Sequence, residues 1–224
     1  MLLYTYPGSP ICRPIAMFIA DHQMDIEQKV VDLLAGEQFE PAFTAINPNS
    51  AVPVLDDGPF RLTESSAILK YLADVVDSLA YPKPLQARAR VNAAMDWVNT
   101  SFYRNFGYNF CYPQVLVHLK WPDPTTQSLV LAAGRDGARK FLGVMNDYFL
   151  GGRNRWMCGE HMTIADYFAS GILSLGELPG YDFAEWPHIQ RWYQQMQDLP
   201  NWQGANAALY AWAKAVKGPE YLRL

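Results

Sequence analysis

The chain of 224 residues, 50% hydrophobic and 18% charged, has the length and composition of a soluble globular protein with one large core or two modest ones. A net charge of −4, with no block of basic residues interleaved with aromatics, speaks against a nucleic-acid partner, and no stretch approaches the roughly 18 apolar residues of a membrane span. Three cysteines (Cys12, Cys111, Cys158) and four scattered histidines fit neither a disulfide framework nor a metal site, and with no signal-peptide pattern after Met1 the expected compartment is the cytoplasm.

The first eighty residues alternate between two periodicities. Leu2-Leu3-Tyr4-Thr5 predicts a short strand, and after a Pro-Gly turn the segment from Ile11 to His22 carries apolar residues at helical spacing. "EQKVVDL" predicts a strand, "GEQFEPAFTAI" a short helix interrupted by Pro41, and "NPNSA" a loop. "VPVLDDGPFRLTE" reads as two strands around the turn signal Asp57-Gly58, and "SSAILKYLADVV" as an amphipathic helix. The order β-α-β-α-β-β-α requires a parallel pair with a right-handed crossover and then an antiparallel hairpin, which gives a small mixed sheet flanked by helices.

After residue 80 the strand signals stop. Pro82 and Pro84 suit a semi-rigid linker over residues 81–85, and residues 86–224 are expected to form an all-α domain. Its first helix, "LQARARVNAAMDWVNTSFYRNFGYNF", is long, with Gly107 and Pro113 marking where it bends or ends. "TIADYFASGILSL" starts with Thr163 and, three residues on, Asp166, the spacing of a reciprocal cap. That helix is apolar nearly all round and is expected at the centre of the second domain.

In a thioredoxin-like β-α-β unit a Cys-x-x-Cys pair sits between the first strand and first helix, where the helix N-terminus lowers a thiol pKa. Here that place reads Ser9-Pro10-Ile11-Cys12. A hydroxyl forms no disulfide, but it can donate a hydrogen bond to a thiolate and favour the ionised form of a substrate's sulfur. The alternative reading of Ser9 is a turn serine capping the helix. Val52-Pro53 opens the third strand, where a cis bond leaves a backbone face open for an extended peptide. Glu64 and Ser65 open the next helix. There the Ser65 hydroxyl and the backbone amides suit a carboxylate, while Glu64 suits an ammonium, and an α-amino acid end group needs both.

"YPGSPICR", "NPNSAVPVLDDGPFRLTESSAILKYLA" and "TIADY" together resemble the glutathione transferase family, over essentially the whole chain and most closely its serine-type delta and theta classes. The resemblance implies a thioredoxin-like α/β domain with a mixed four-stranded sheet over residues 1–80, joined to an all-α C-terminal domain that holds a hydrophobic substrate site. It implies that Ser9 stabilises the glutathione thiolate for attack on a hydrophobic electrophile, with glutathione as co-substrate and no tightly bound cofactor. Val52 and Pro53 would pair with the cysteinyl backbone, and Glu64 and Ser65 would hold the γ-glutamyl end. Gln38 and Ser50 stand where those classes often carry histidines, as uncharged partners of the glycyl carboxylate. Residues 1–80 hold 4 Lys+Arg against 11 Asp+Glu, so helix N-termini, Arg13 or Arg104 must help to hold an anionic peptide.

Tyr4 and Tyr6 flank the same loop, and in other classes a tyrosine near the N-terminus is the activator. The aromatic run Phe102, Tyr103, Phe106, Tyr108, Phe110 and Tyr112 is read either as core or as the electrophile site, with Tyr103, Phe106 and Phe110 the candidates. Two rivals stand beside the conjugating enzyme. One is a thiol-disulfide oxidoreductase or dehydroascorbate-type reductase using Cys12, and the other a non-catalytic interaction module. A homodimer is implied, with the acidic first domain facing the partner's second domain, residues 81–224 carrying 14 Lys+Arg against 11 Asp+Glu.

Overall fold

Four short strands form one mixed sheet in the computed structural model, which describes residues 1–216 and 221–224. The sheet order is β2-β1-β3-β4, with β1 (Leu2–Thr5) parallel to β2 (Glu27–Val30) and antiparallel to β3 (Val54–Asp57). β4 (Phe60–Thr63) folds back on β3 through the Asp57-Gly58 turn, and Gly58 has a φ of +59° that a side chain tolerates poorly. The expected strand and helix order is therefore present, with shifted boundaries.

Helix α1 (Arg13–Asp21) begins two residues later than its apolar pattern suggests. The Cys12 and Arg13 amides both donate to the Ser9 carbonyl, at 3.2 and 3.1 Å, closing a turn before the helix, and Pro14 fits the first turn because it has no N–H to satisfy. β2 stops at Val30 because the Asp32 carboxylate accepts the Leu34 and Ala35 amides at 2.9 and 3.1 Å and turns the chain away. The helix after it splits into a single tight turn, Glu37–Phe39, and α2 (Pro41–Thr44). Between them Glu40 is extended (ψ 145°), as a residue preceding proline prefers. α3 (Ser65–Val75) covers the sheet with Ile68, Leu69 and Leu72 fully buried.

Every element from residue 85 onward is helical. The long first helix runs as α4 (Leu85–Trp97), widens to i→i+5 hydrogen bonding over Val98–Cys111, and closes as α5 (Tyr112–Val115). Gly107 and Pro113 thus do not end it. Gly107 lies where a Cβ would sit 2.6 Å from the Tyr103 ring, so its role is close packing. α6 (Pro124–Val144) packs back along the wide segment, followed by α7 (Ile164–Leu173), α8 (Pro187–Gln197) and α9 (Trp202–Ala215). No described helix is long and apolar enough to cross a membrane.

α7 is the axis of this half: all ten of its residues are buried, and α1, α3, α4 and α8 pack on it. Its N-terminus is held by Asp166, which is wholly buried and accepts the Thr163 amide at 2.8 Å and hydroxyl at 3.0 Å. The same carboxylate accepts the Met157 amide and the Trp192 indole N–H, each at 2.8 Å, tying a loop and α8 to the cap. Burial pushes this carboxyl up, while the four donors favour its ionised form. Replacing Asp166 by alanine strands these donors in the core. Unfolding in urea should show a loss on the order of 3 to 5 kcal/mol, whereas a loss below about 1 kcal/mol would mean that the cap is dispensable.

Candidate functional site

The sheet register decides where the candidate residues meet. Tyr4 pairs with Val54, and Val54 with Thr63, so the end of β1, the start of β3 and the end of β4 share one edge, and β2 ends there too. Three connections leave from this edge: residues 6–12, residues 31–53, and the Glu64 step into α3. Ser9, Gln38, Ser50, Val52, Pro53, Glu64 and Ser65 all lie on these connections. Beneath them Tyr4, Cys12, Val31, Phe43, Val52 and Val54 form a separate small apolar cluster, the floor on which the loops rest.

Ser9 is partly exposed in a turn where its amide donates to the Tyr6 carbonyl at 3.0 Å. It precedes α1, whose N-terminus carries no side-chain cap, so the positive end of the helix dipole faces the loop. α3 presents a second uncapped N-terminus: its first internal bond runs from the Ile68 amide to the Glu64 carbonyl at 2.9 Å, which leaves the Ser65, Ser66 and Ala67 amides free of intrahelical partners. Glu64 itself is exposed and held at φ +67°, a left-handed conformation that costs a glutamate about 1 to 3 kcal/mol. The Val52-Pro53 peptide is cis.

Asn47 was not singled out in the sequence, yet it builds the middle connection. Almost wholly buried, it donates through Nδ2 to the Ala51 carbonyl at 2.7 Å and accepts the Asn49 amide at 3.1 Å. These bonds hold Ser50 at φ +53° and deliver the chain to Val52. The signal was present in "INPNS", since an asparagine before a Pro-Asn pair is a strong side-chain turn former. Gln38 donates to the Leu33 carbonyl at 3.4 Å, and its Oε1 is buried without a partner among the described residues.

The match to known proteins is extensive. The family descriptions "Glutathione S-transferase, N-terminal domain" and "Glutathione S-transferase, C-terminal domain" match residues 1–74 and 111–200. The chain is 30% identical over 200 residues to glutathione S-transferase D7 of Anopheles gambiae, covering 88% of this chain and 86% of that protein. This chain belongs to the glutathione S-transferase family. The apo form of human glutathione S-transferase T1-1 superposes with a TM-score of 0.82 at 30% identity, over 98% of this chain and 92% of that one. Human glutathione transferase theta-2, solved as a complex with glutathione and an unknown ligand, superposes with a TM-score of 0.86 at 27% identity, over 98% of this chain and 94% of that one. The family's members are glutathione transferase enzymes, and the two-part architecture of this transferase is theirs.

Several candidate residues of the transferase lie elsewhere than expected. Arg13 is buried and turned away from the sheet edge, donating to the Ser174 hydroxyl at 2.9 Å, to Asn206 Oδ1 and to the Gly171 carbonyl at 3.4 Å. It joins the two halves of the chain and cannot reach a ligand carboxylate. Arg104 is exposed on the wide segment after α4. The aromatic run is core except for the exposed Tyr108: Phe106 and Phe110 have no exposed surface, Phe102 and Phe106 stack with ring centres 5.1 Å apart, and Phe110 stacks on Tyr181 at 5.6 Å. Tyr103 is also buried, its hydroxyl 2.8 Å from that of Tyr112. Filling a core is what an aromatic stripe at helical spacing does most often.

Tyr4 is buried edge-on against Phe43, which removes it as an activator. Tyr6 is partly exposed, and burial first and Asp32 second push its phenol up, so it remains neutral at pH 7. Cys12 is 1% exposed, and burial pushes its thiol up despite the Ser9, Tyr6 and Thr5 groups that bond it. A buried, protonated thiol is a poor nucleophile. Burial of Cys158 beside Asp166 raises that thiol to about 12. Native protein at pH 7.5 should therefore resist iodoacetamide at Cys12 and react only slowly at Cys158, with full labelling after unfolding. Labelling of native Cys12 within minutes would reinstate the oxidoreductase reading.

Proposed function

We propose that this transferase binds glutathione across the shared edge of its sheet, ionises the thiol with the Ser9 hydroxyl and directs it to a hydrophobic electrophile. The observation that carries the reading is the gathering of Ser9, the start of β3 and two uncapped helix N-termini at one edge, where Cys12 is buried and the partly exposed Tyr6 phenol is held neutral. The acidic first domain, residues 1–80, holds 4 Lys+Arg against 11 Asp+Glu, and Arg13 is committed to the seam, so the anionic peptide is held mainly by neutral donors. The backbone of Val52 beside Pro53 pairs with the cysteinyl residue. The Ser65 hydroxyl and first-turn amides of α3 take the γ-glutamyl carboxylate, Glu64 takes its ammonium, and Gln38 and Ser50 serve the glycyl end.

The chemistry is one displacement or addition. Ser9 donates a hydrogen bond to the sulfur, and the N-terminus of α1 adds a favourable dipole, so the proton leaves the thiol at a lower pH than in water. The thiolate pair forms a bond to an electrophilic carbon; in a displacement the leaving group departs with the electron pair it shared with that carbon, and in an addition the pair of the opened bond stays on the neighbouring atom, which takes a proton from water. The electrophile enters between residues 1–80 and the helical domain, residues 86–224. The working assembly is a homodimer in the cytosol.

Replacing Ser9 by alanine tests the central role. A free thiol titrates near 8.5, and loss of a charge-assisted bond worth about 1.5 to 3 kcal/mol raises the bound thiol's pKa by about one to two units. Conjugation of an aryl halide should fall most near pH 7, where ionisation is scarce, and should approach the wild-type rate as pH rises through the shifted value. A variant equally impaired at pH 7 and pH 10, or unimpaired at both, removes Ser9 from the reaction.

Replacing Glu64 by glutamine separates binding from chemistry. The ammonium it holds lies far from the sulfur and is bound alike in ground and transition states, so KM for glutathione should rise about tenfold or more with kcat little changed. An unchanged KM places the γ-glutamyl end elsewhere.

A further inference from the structure

Gln38 offers the wrong atom to a carboxylate. Its Nε2 donates to the Leu33 carbonyl at 3.4 Å, and Leu33 packs against the small apolar cluster that holds Val52, so the side-chain amide is anchored at the floor of the Ser9 edge. A carbonyl accepts only from an N–H, and this bond therefore fixes which end of the amide is which. The end left over is Oε1, shut off from solvent with no partner among the described residues. A ligand N–H would satisfy that oxygen, whereas a carboxylate oxygen would be repelled by it.

The charges on the same connection act in the same sense. Residues 31–53 contain Asp32, Glu37 and Glu40 and no Lys, Arg or His. Asp32 accepts the Leu34 and Ala35 amides, and Glu37 accepts the Asp32 amide at 2.7 Å, but none of the three acids is in an ion pair with a described residue. The field of Asp32 reaches the Ser9 loop, where it adds to the burial that raises the Tyr6 phenol.

The four cations of residues 1–80 stand elsewhere. Arg13 is buried in the seam, and Arg61 is forked onto Asp56 at 2.6 and 2.7 Å. Lys70 is on α3, and Lys29 is on β2 with its ammonium over the Tyr4 ring, 5.8 Å from the ring centre. A free glycyl carboxylate would thus meet a buried acceptor and a connection that carries only like charge.

We propose, resting on the assignment of the Ser9 edge to the thiol, that the preferred co-substrate is a γ-glutamylcysteinyl thiol whose glycyl carboxylate is capped as an amide, the amide N–H donating to Gln38 Oε1. The cap removes one negative charge from the acidic connection and supplies the donor that the buried oxygen lacks. Gln38 then sets specificity at the third position of the co-substrate, and free glutathione is used at a disadvantage.

Three thiols separate charge from hydrogen bonding on the wild-type protein: glutathione, its glycyl ethyl ester and its glycyl amide, each titrated in conjugation of the same aryl halide. The ester loses the charge and gains no donor, while the amide loses the charge and gains N–H groups. KM should fall about threefold from glutathione to the ester and about threefold to tenfold further to the amide, with kcat unchanged because this end lies far from the sulfur. Added salt should narrow the first step and leave the second. Gln38→Lys, which exchanges the acceptor for a cation, should reverse the order and give glutathione the lowest KM. A wild-type KM for glutathione equal to or below that of the amide, equal values for ester and amide, or an unchanged order in Gln38→Lys overturns the proposal while leaving the Ser9 edge in place. Turnover of none of the three thiols overturns the Ser9 assignment and this proposal with it. Should Gln38→Lys fail to fold, Gln38→Met keeps the length and removes the acceptor, and an amide still favoured over the ester in that variant overturns the proposal equally.

Discussion

A guanidinium without a carboxylate partner sits at the seam of this molecule. Arg13 emerges from the first turn of α1 and ends among Ser174, Asn206 and the Gly171 carbonyl, so its two terminal nitrogens donate to oxygens of the helical half, while its Nε is buried with no partner among the described residues. Those oxygens are themselves oriented, Ser174 by its bond to the Gly171 carbonyl at 2.6 Å and Asn206 by its bond to the Trp202 carbonyl at 2.9 Å. Burial lowers the group to about 10, well above neutrality, so it remains a cation. A buried charge costs several kcal/mol unless its donors are matched, and only the assembled pair of halves brings these oxygens to the two terminal nitrogens. The Arg13 amide also bonds the Ser9 carbonyl, so the seam and the candidate catalytic turn are one structural unit.

The helical half repeats this logic with the opposite sign. Asp166 is a buried carboxylate satisfied by donors from three segments, and it sets the start of α7, the helix against which Arg13 is received. Helix α1 meets α7 and α9, and α3 meets α7, so the apolar contacts and the two buried charges define the same docking. Tyr167 and Asn201 add a third tie by donating to the two oxygens of Asp21, each at 2.7 Å. Apolar burial supplies the bulk of the attraction, and the polar groups select one arrangement of the two surfaces.

Local chemistry was legible in the sequence and long-range partnership was not. Alternation and helical spacing, the Asp57-Gly58 turn and the Thr163-to-Asp166 spacing depend on neighbours within a few residues, and the structure has each of them. Arg13 depends on residues 161 and 193 positions away, so in sequence it looks like a cation available to a ligand. The aromatic run after Trp97 has the same ambiguity, because helical spacing shows that the residues share a face and not whether that face is covered. α6 and Phe183 cover most of it and leave Tyr108 exposed. Asn47 was missed for a different reason: its bonds are local, but a polar loop residue looks solvent-facing until its burial is known.

Gly171 stands in the middle of α7, directly opposite the turn before α1. A Cβ at that position would lie 2.3 Å from the Pro10 carbonyl oxygen and 2.4 Å from the Pro14 ring. The backbone of the helical half is thus the anvil on which the Ser9 turn is shaped, with no side chain as a cushion between them. Any residue larger than glycine there would act as a wedge under Pro10, tilting the neighbouring hydroxyl while leaving the sheet edge intact. The placement of the Ser9 turn is therefore gauged from a position 162 residues further along the chain.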